Sequence, residues 1–116
     1  MRNESGTSRL SLEIEHTPEG ALVRCRGELV AGVTDALYSE VRPLIPETKR
    51  IILDFKELTY VDSRGLGTIL RLYVSAKSAG CSLELANIGA RVRQVLGITH
   101  LMSVLTVIGE NNIRMP

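Results

Sequence analysis

The sequence predicts a single α/β domain, built on a mixed β-sheet of four or five strands with the helices mainly on one face. Two early segments alternate apolar and polar residues, which is typical of strands with one solvent-exposed side. Further along, helical periodicity alternates with short β-rich runs, which indicates crossovers between parallel strands. The length of 116 residues suits one hydrophobic core and excludes two domains.

The first two strands are predicted to form an antiparallel hairpin. One strand covers 10–15 and the other 21–26, and in both every second residue is apolar. The turn at 17–20 supplies a proline with a fixed φ and a glycine that tolerates a positive φ. The domain is expected to span 10–108, with a flexible tail at 1–9 and a loose tail at 109–116, because both ends are polar.

Helical spacing of apolar residues then extends from Val33 to Ile45. Pro43 is expected to end or kink this helix near Arg42, because proline lacks the amide proton that a helix interior needs. The apolar run 51–55 has the length of a strand.

The strongest helical pattern follows that strand, and Gly80 is placed to cap the C-terminus of the helix. Its apolar residues predict the buried side: Leu66, Ile69, Leu70, Tyr73 and Val74. The remaining predicted elements are a strand at 82–86, a short helix around 92–96 and a β-rich run at 103–108.

The composition excludes several function classes. Fourteen basic and thirteen acidic residues give a net charge of +1, and the chain has four aromatic residues and no tryptophan. Nucleic-acid binding is therefore not predicted, since it requires a basic surface and usually stacking rings. No segment approaches the roughly 20 apolar residues of a membrane-spanning helix, and the start MRNESGTSR has no apolar core of a signal peptide.

The cysteines are expected to be small buried residues of a reducing compartment, the cytoplasm. Cys25 and Cys81 lie far apart in apolar segments. His16 and His100 would complete a set of four zinc-binding side chains, but the gaps are 9, 56 and 19 residues. Structural zinc sites use short paired gaps, so no metal and no cofactor are predicted.

The segment from Lys56 to Gly67 carries the functional information. Ser63 is predicted to lie at the N-terminal mouth of the long helix, where a serine that caps an amide contributes about 1 kcal/mol. A hydrolase nucleophile is disfavoured because Val61 stands where Gly-x-Ser-x-Gly requires glycine, and both histidines are poorly placed. The residues after Gly67 lack the lysine or third glycine of a phosphate-binding loop. The chain is therefore not predicted to be an enzyme.

A serine at a helix N-terminus can accept a phosphoryl group. Phosphoserine carries about −1.5 to −2 charge, and the helix end stabilises it by about 0.3 to 1 kcal/mol, which is too little to refold a domain. A like charge about 4 Å away on a partner costs about 4 kcal/mol, whereas about 1.4 kcal/mol already changes affinity tenfold. Such a switch is expected to act at an interface.

The same segment resembles the STAS domain of anti-sigma factor antagonists. The resemblance covers about 9–108, and its most specific part is Asp-Ser-x-Gly-Leu, which follows Gly-Glu-Leu by one strand and one loop. Three runs carry it: RGEL at 26–29, LDFKELTYVDSRGLGTIL at 53–70 and VRQVLGITHLMSVLTV at 92–107.

The resemblance implies that Ser63 is phosphorylated by a partner, an anti-sigma factor that is itself an ATP-dependent serine kinase. The unphosphorylated form would bind that partner and free a sigma factor, phosphorylation would release it, and a PP2C-type phosphatase would restore it. The implied partner-binding residues are Glu28, Asp62, Ser63, Arg64, Gly65, Leu66, Gly67 and Thr68.

Three features depart from the family pattern. Val30 follows Gly-Glu-Leu where many members have aspartate, Arg64 stands where a small hydroxyl residue is commoner, and the ending GENNIRMP lacks the amphipathic helix that often closes the domain. The first two favour an alternative, a constitutive STAS scaffold as in stressosomes or in the small subunit of a lipid-transport ATPase complex. A third interpretation is a small-molecule or nucleotide-binding protein that uses the amides at 63–67. The uncovered sheet face with Arg24 and Arg26 is also a candidate homodimer surface.

Overall fold

The strands assemble into one five-stranded sheet in the order β1-β2-β3-β4-β5. The computed structural model describes residues 9–98 and 106–108. The elements are β1 (Leu10–His16), β2 (Gly20–Leu29), α1 (Thr34–Val41), a 3₁₀ helix (Arg42–Glu47), β3 (Arg50–Val61), α2 (Ser63–Ser78), β4 (Ser82–Ala86), α3 (Ala90–Ile98) and β5 (Thr106–Ile108). β1 pairs with β2 antiparallel and the later neighbours pair in parallel, so the predicted mixed sheet is confirmed.

Alternation along the strands gives the sheet one apolar and one polar face. Val23, Leu53 and Leu85 are fully buried in the core, where they pack with the inward side chains of α1 and α2. Their strand neighbours Arg24 and Asp54 lie opposite each other on the other face. The prediction that the helices lie mainly on one face is confirmed.

The first helix ends where proline was expected to end it. α1 stops at Val41, and the chain continues as the 3₁₀ helix over Arg42–Glu47, which contains Pro43 and Pro46. Neither proline can donate the backbone hydrogen bond that would extend the α-helix.

β3 is longer than predicted: it extends to Val61 instead of ending at residue 55. The register shifts where β2 pairs with it, because Arg24 faces Asp54 but Arg26 faces Glu57. This irregularity separates successive buried residues by three positions and hides the period-two pattern of a strand. The predicted loop after the strand is therefore absent, and β3 leads directly into α2.

The buried side of α2 was predicted only in part. Leu66 and Ile69 are buried as expected, but the further buried positions are Leu72 and Ala76. Leu70 and Tyr73 are half-buried and Val74 is 56% exposed. The apolar residues of α2 extend around more than one side of the helix, so their spacing alone did not fix which side is buried.

The cysteines and the last strand agree with the sequence analysis. Cys25 and Cys81 are buried free thiols. β5 confirms the end of the predicted β-rich run. Several predictions concern positions outside the described residues: residues 103–105, His100 and the two tails, apart from Arg9. Among the helices that the structure describes, none is long and apolar enough to cross a membrane.

Candidate functional site

Ser63 is the first residue of α2, and its side chain is exposed. β3 ends beside β2, where the Asp62 amide donates a hydrogen bond to the Leu29 carbonyl at 3.2 Å. A single residue therefore separates the strand from the helix. Ser63 is exposed, and no hydrogen bond to its hydroxyl occurs within residues 9–98.

The N-cap of α2 is Asp62, and the assignment of the cap to Ser63 was wrong by one position. Asp62 has extended backbone angles, and its Oδ1 accepts a hydrogen bond from the Gly65 amide at 2.9 Å. Aspartate and serine cap helices about equally well, so an Asp-Ser pair does not settle the boundary by itself. Asp62 therefore supplies the side-chain cap, and the Ser63 hydroxyl makes no hydrogen bond within the described residues.

The second oxygen of Asp62 holds the loop that follows β2. Asp62 Oδ2 accepts a hydrogen bond from the Ala31 amide at 3.0 Å. Ala31 and Gly32 are both exposed, and Gly32 has a φ of +97°, a conformation that favours glycine. One carboxylate therefore joins this loop and the start of α2 into a single surface around Ser63.

The electrostatics of the site keep Asp62 ionised. Partial desolvation acts to raise its pKa, but the amides of Ala31, Gly65 and Arg64 and the positive charge of Arg64 outweigh that effect. The net result is a pKa below the ordinary value, because these groups stabilise the charged form. A carboxylate and a guanidinium therefore flank Ser63 in sequence.

Two glycines near Ser63 have different roles. A Cβ at Gly65 would lie 2.2 Å from the Leu29 carbonyl oxygen and 2.7 Å from Val61 Cγ2, so close packing of the helix on the strands requires glycine there. A Cβ at Gly67 would meet nothing within 4 Å, and this residue is exposed. Glycine inside a helix costs about 0.5 to 1 kcal/mol relative to alanine. Within the described residues a side chain at Gly67 would have no packing neighbour, so Gly67 exposes bare backbone one turn after Ser63.

The predicted partner-binding residues differ in their exposure to solvent. Exposed positions are Ser63, Arg64 and Gly67, half-buried ones are Glu28 and Asp62, and buried ones are Gly65, Leu66 and Thr68. The buried residues support the site from below and offer little surface to a partner. Glu28 lies on β2, where its Oε1 is 3.8 Å from Arg9 Nε.

Two residues of this surface were missed by the sequence analysis. Tyr60 faces Glu28 across the β2–β3 pairing and is 40% exposed. It lies in the part of β3 whose pattern is interrupted by the register shift. Ala31 contributes through its backbone amide, which no side-chain pattern could have indicated.

A shallow cleft of about 770 Å³ occupies the open face of the sheet, away from the helices. Two of its cations are ion-paired: Arg26 pairs with Glu57, which also lines the cleft, and Arg24 Nη2 lies 3.0 Å from Oε1 of the nearby Glu15. A homodimer through this face stays a prediction.

Comparison with known proteins supports the resemblance seen in the sequence. The STAS domain family model matches residues 11–112. The anti-sigma F factor antagonist of Paenibacillus polymyxa is 27% identical over 100 residues, which cover 84% of this chain and 86% of the relative. The anti-sigma-B factor antagonist of Bacillus subtilis (strain 168) is 24% identical over 98 residues, which cover 84% and 90%.

Solved structures share the fold. The unphosphorylated anti-sigma factor antagonist SpoIIAA matches with a TM-score of 0.73 at 21% identity, covering 87% of this chain and 90% of that one. The phosphorylated form of the Bacillus cell fate determinant SpoIIAA matches with 0.68 at 22% identity, covering 87% and 94%. An anti-sigma factor antagonist from Mycobacterium paratuberculosis gives 0.76 at 15% identity, with 84% of both chains covered. The family match spans both the sheet and the Ser63 segment, and this chain therefore belongs to the STAS domain family.

Proposed function

We propose that this protein is an anti-sigma factor antagonist, a binding module without enzymatic activity. Its unphosphorylated form binds an anti-sigma factor that is also a serine kinase, and a sigma factor is thereby released. The observation that carries the proposal is the exposed Ser63 hydroxyl, which has no hydrogen-bond partner within residues 9–98. The names of the relatives support it, and SpoIIAA is known in unphosphorylated and phosphorylated forms.

Phosphorylation of Ser63 changes the charge of the surface without requiring a change of fold. Ser63 Oγ attacks the γ-phosphorus of ATP, its proton passes to a base of the kinase, and ADP leaves. The product adds about −1.5 to −2 charge beside Asp62, which is itself ionised at neutral pH. Repulsion of about 4 kcal/mol from a like charge at about 4 Å corresponds to about a thousandfold loss of affinity.

The exposure of Ser63 also permits the reverse step. The active site of a PP2C-type phosphatase must reach the phosphate from solvent. A phosphoserine on the exposed first turn of α2 meets that requirement. The proposed location is the cytoplasm. The two free cysteines support it, because a reducing compartment keeps thiols reduced.

Capture of partners from the native host tests the proposal. The baits are the wild-type chain, Ser63→Ala and Ser63→Asp. The alanine variant is the control because the Ser63 hydroxyl makes no hydrogen bond in the described part of the chain. The wild-type and alanine baits are expected to retain a protein with a kinase-type ATPase domain, and the aspartate bait to lose it. Equal capture by wild type and Ser63→Asp would contradict the phosphorylation switch.

A constitutive scaffold is the second candidate function. Val30 is 7% exposed and apolar, so no acid stands where many family members have aspartate near the serine. For a scaffold, all three baits would retain the same proteins, and these would lack a kinase-type domain.

A further inference from the structure

Charge is distributed unevenly along the described chain. Residues 10–62 contain ten acidic and six basic side chains, whereas residues 63–98 contain five basic side chains and one acid, Glu84. Glu84 belongs to the open face of the sheet, where its Oε1 is 2.9 Å from Arg50 Nη2. The charged side chains of α2 and α3 are therefore all positive.

The exposed side of α2 carries three of these cations, Arg64, Arg71 and Lys77. Within the described residues none of them takes part in an ion pair, although Arg64 lies close enough to the N-cap carboxylate to lower its pKa. The acids of the adjacent helix α1, Asp35 and Glu40, are not paired with them either. Among the described residues, no acidic side chain pairs with the positive charges of α2.

Aromatic rings hold two of these cations in place. The Arg71 guanidinium lies 4.2 Å from the centroid of the Tyr38 ring, and Lys77 Nζ lies 5.9 Å from that of Tyr73. Such contacts order a cation but leave its charge available. Val74, which is 56% exposed, provides an apolar centre between them.

We propose that this side of α2 is a cationic docking surface for an acidic face of the protein partner that recognises Ser63. We call it the α2 face and define it by Arg64, Gly67, Arg71, Val74 and Lys77. The inference rests on the proposed function, because Ser63 begins the same helix face. At about 1.5 Å rise per residue, Arg71 lies about 12 Å and Lys77 about 21 Å beyond Ser63 along the helix axis.

Charge complementarity favours an acidic protein partner. A phosphoserine can repel only a partner that carries negative charge near it, and a positive α2 face attracts the same kind of partner. Three cations around an exposed valine suit a mixed polar and apolar protein surface. Nucleic acids usually require a longer basic stripe with stacking rings.

Charge reversal on the α2 face tests the proposal. Arg71→Glu/Lys77→Glu is compared with Lys49→Glu/Lys56→Glu, which changes the net charge equally at exposed lysines outside this face. The probe is the purified anti-sigma factor captured by the wild-type bait, titrated at low and at raised ionic strength. The α2 variant is expected to lose about tenfold or more in affinity at low salt, with a smaller loss at high salt. Equal affinities of the two variants would overturn the inference.

A second probe set does not depend on that capture. The isotope-labelled full chain is titrated with an acidic amphipathic peptide, phosphatidylglycerol vesicles and a short DNA duplex. Amide shifts on the α2 face with the peptide alone support the proposal. Shifts with vesicles or DNA, or no shifts there with the peptide, overturn it.

The Ser63 and α2 variants fail in different ways. If Ser63→Asp releases the partner but charge reversal on α2 has no effect, the phosphorylation switch stands and the acidic docking surface is wrong. If charge reversal weakens binding but Ser63→Asp does not, the docking surface stands and the switch is wrong.

Discussion

The Asp62 carboxylate accepts the amide hydrogen of Ala31 at 3.0 Å and so joins the start of α2 to the loop after β2. Its other oxygen accepts from Gly65 at 2.9 Å. One side chain therefore fixes two backbone segments around Ser63. A partner that approaches this serine meets a surface that is already ordered, which limits the entropy lost on binding.

Replacement of Asp62 by alanine is expected to destabilise the fold. Asp62→Ala removes the helix cap and the bond to Ala31, and we expect the free energy of unfolding to fall by about 1 to 2 kcal/mol. Ser63→Ala is the matched control, because the Ser63 hydroxyl makes no hydrogen bond within the described part of the chain. It should change the free energy of unfolding by about 0.5 kcal/mol or less. Urea denaturation measures both free energies of unfolding. A larger loss for Ser63→Ala than for Asp62→Ala would show that Ser63 is the N-cap.

The low pKa of Asp62 predicts how stability depends on pH. A carboxylate whose pKa is lower in the folded state stabilises the protein above its unfolded pKa of about 4, and this contribution is lost as pH falls through the folded pKa. Asp62→Asn cannot ionise, so the wild type should be the more stable protein at pH 6. The difference between the two should shrink on acidification below about pH 4. A difference that stays constant with pH would contradict the ionised cap.

The two glycines of the first turns of α2 are expected to respond in opposite ways to alanine. Gly65→Ala places a Cβ 2.2 Å from the Leu29 carbonyl oxygen and should lower the unfolding free energy by about 3 kcal/mol. Gly67→Ala introduces no clash and should raise it by about 0.5 to 1 kcal/mol. If Gly67 serves partner contact, this more stable variant should bind the partner more weakly. Unchanged binding would remove Gly67 from the interface.

The thiol of Cys25 is expected to be unreactive in the folded protein. Burial, with a smaller contribution from the charge of Asp54, raises its pKa to about 12, so the thiolate that reacts is scarce. Titration with a thiol reagent at pH 8 should modify it at the rate of unfolding, and denaturant should make it react at once. Fast modification of Cys25 without denaturant would contradict its burial.

The elements with regular patterns were predictable from the sequence, and the register of β3 was not. The hairpin and the end of α1 depend on local chemistry, namely alternation and proline. The extension of β3 to Val61 depends on pairing with β2, where the register shifts between Arg24 and Arg26. An irregularity of this kind arises between two strands and leaves no periodic signal in one.

The candidate site was likewise predictable from the sequence only in part. Ser63 could be located because it stands between a strand and a helical pattern in a segment typical of one family. Which residue caps the helix could not be predicted, because Asp62 and Ser63 are both suitable caps and only the structure shows that Asp62 accepts from the Gly65 amide. The charged face of α2 required knowledge of which side of the helix is buried.

The most direct test of the account is the mass and binding of the intact protein after incubation with its purified anti-sigma factor and ATP. We expect one added phosphate on the wild type, none on Ser63→Ala, and loss of binding in the modified protein alone. A wild-type chain that gains no phosphate, or that binds equally well after gaining one at Ser63, would contradict the account.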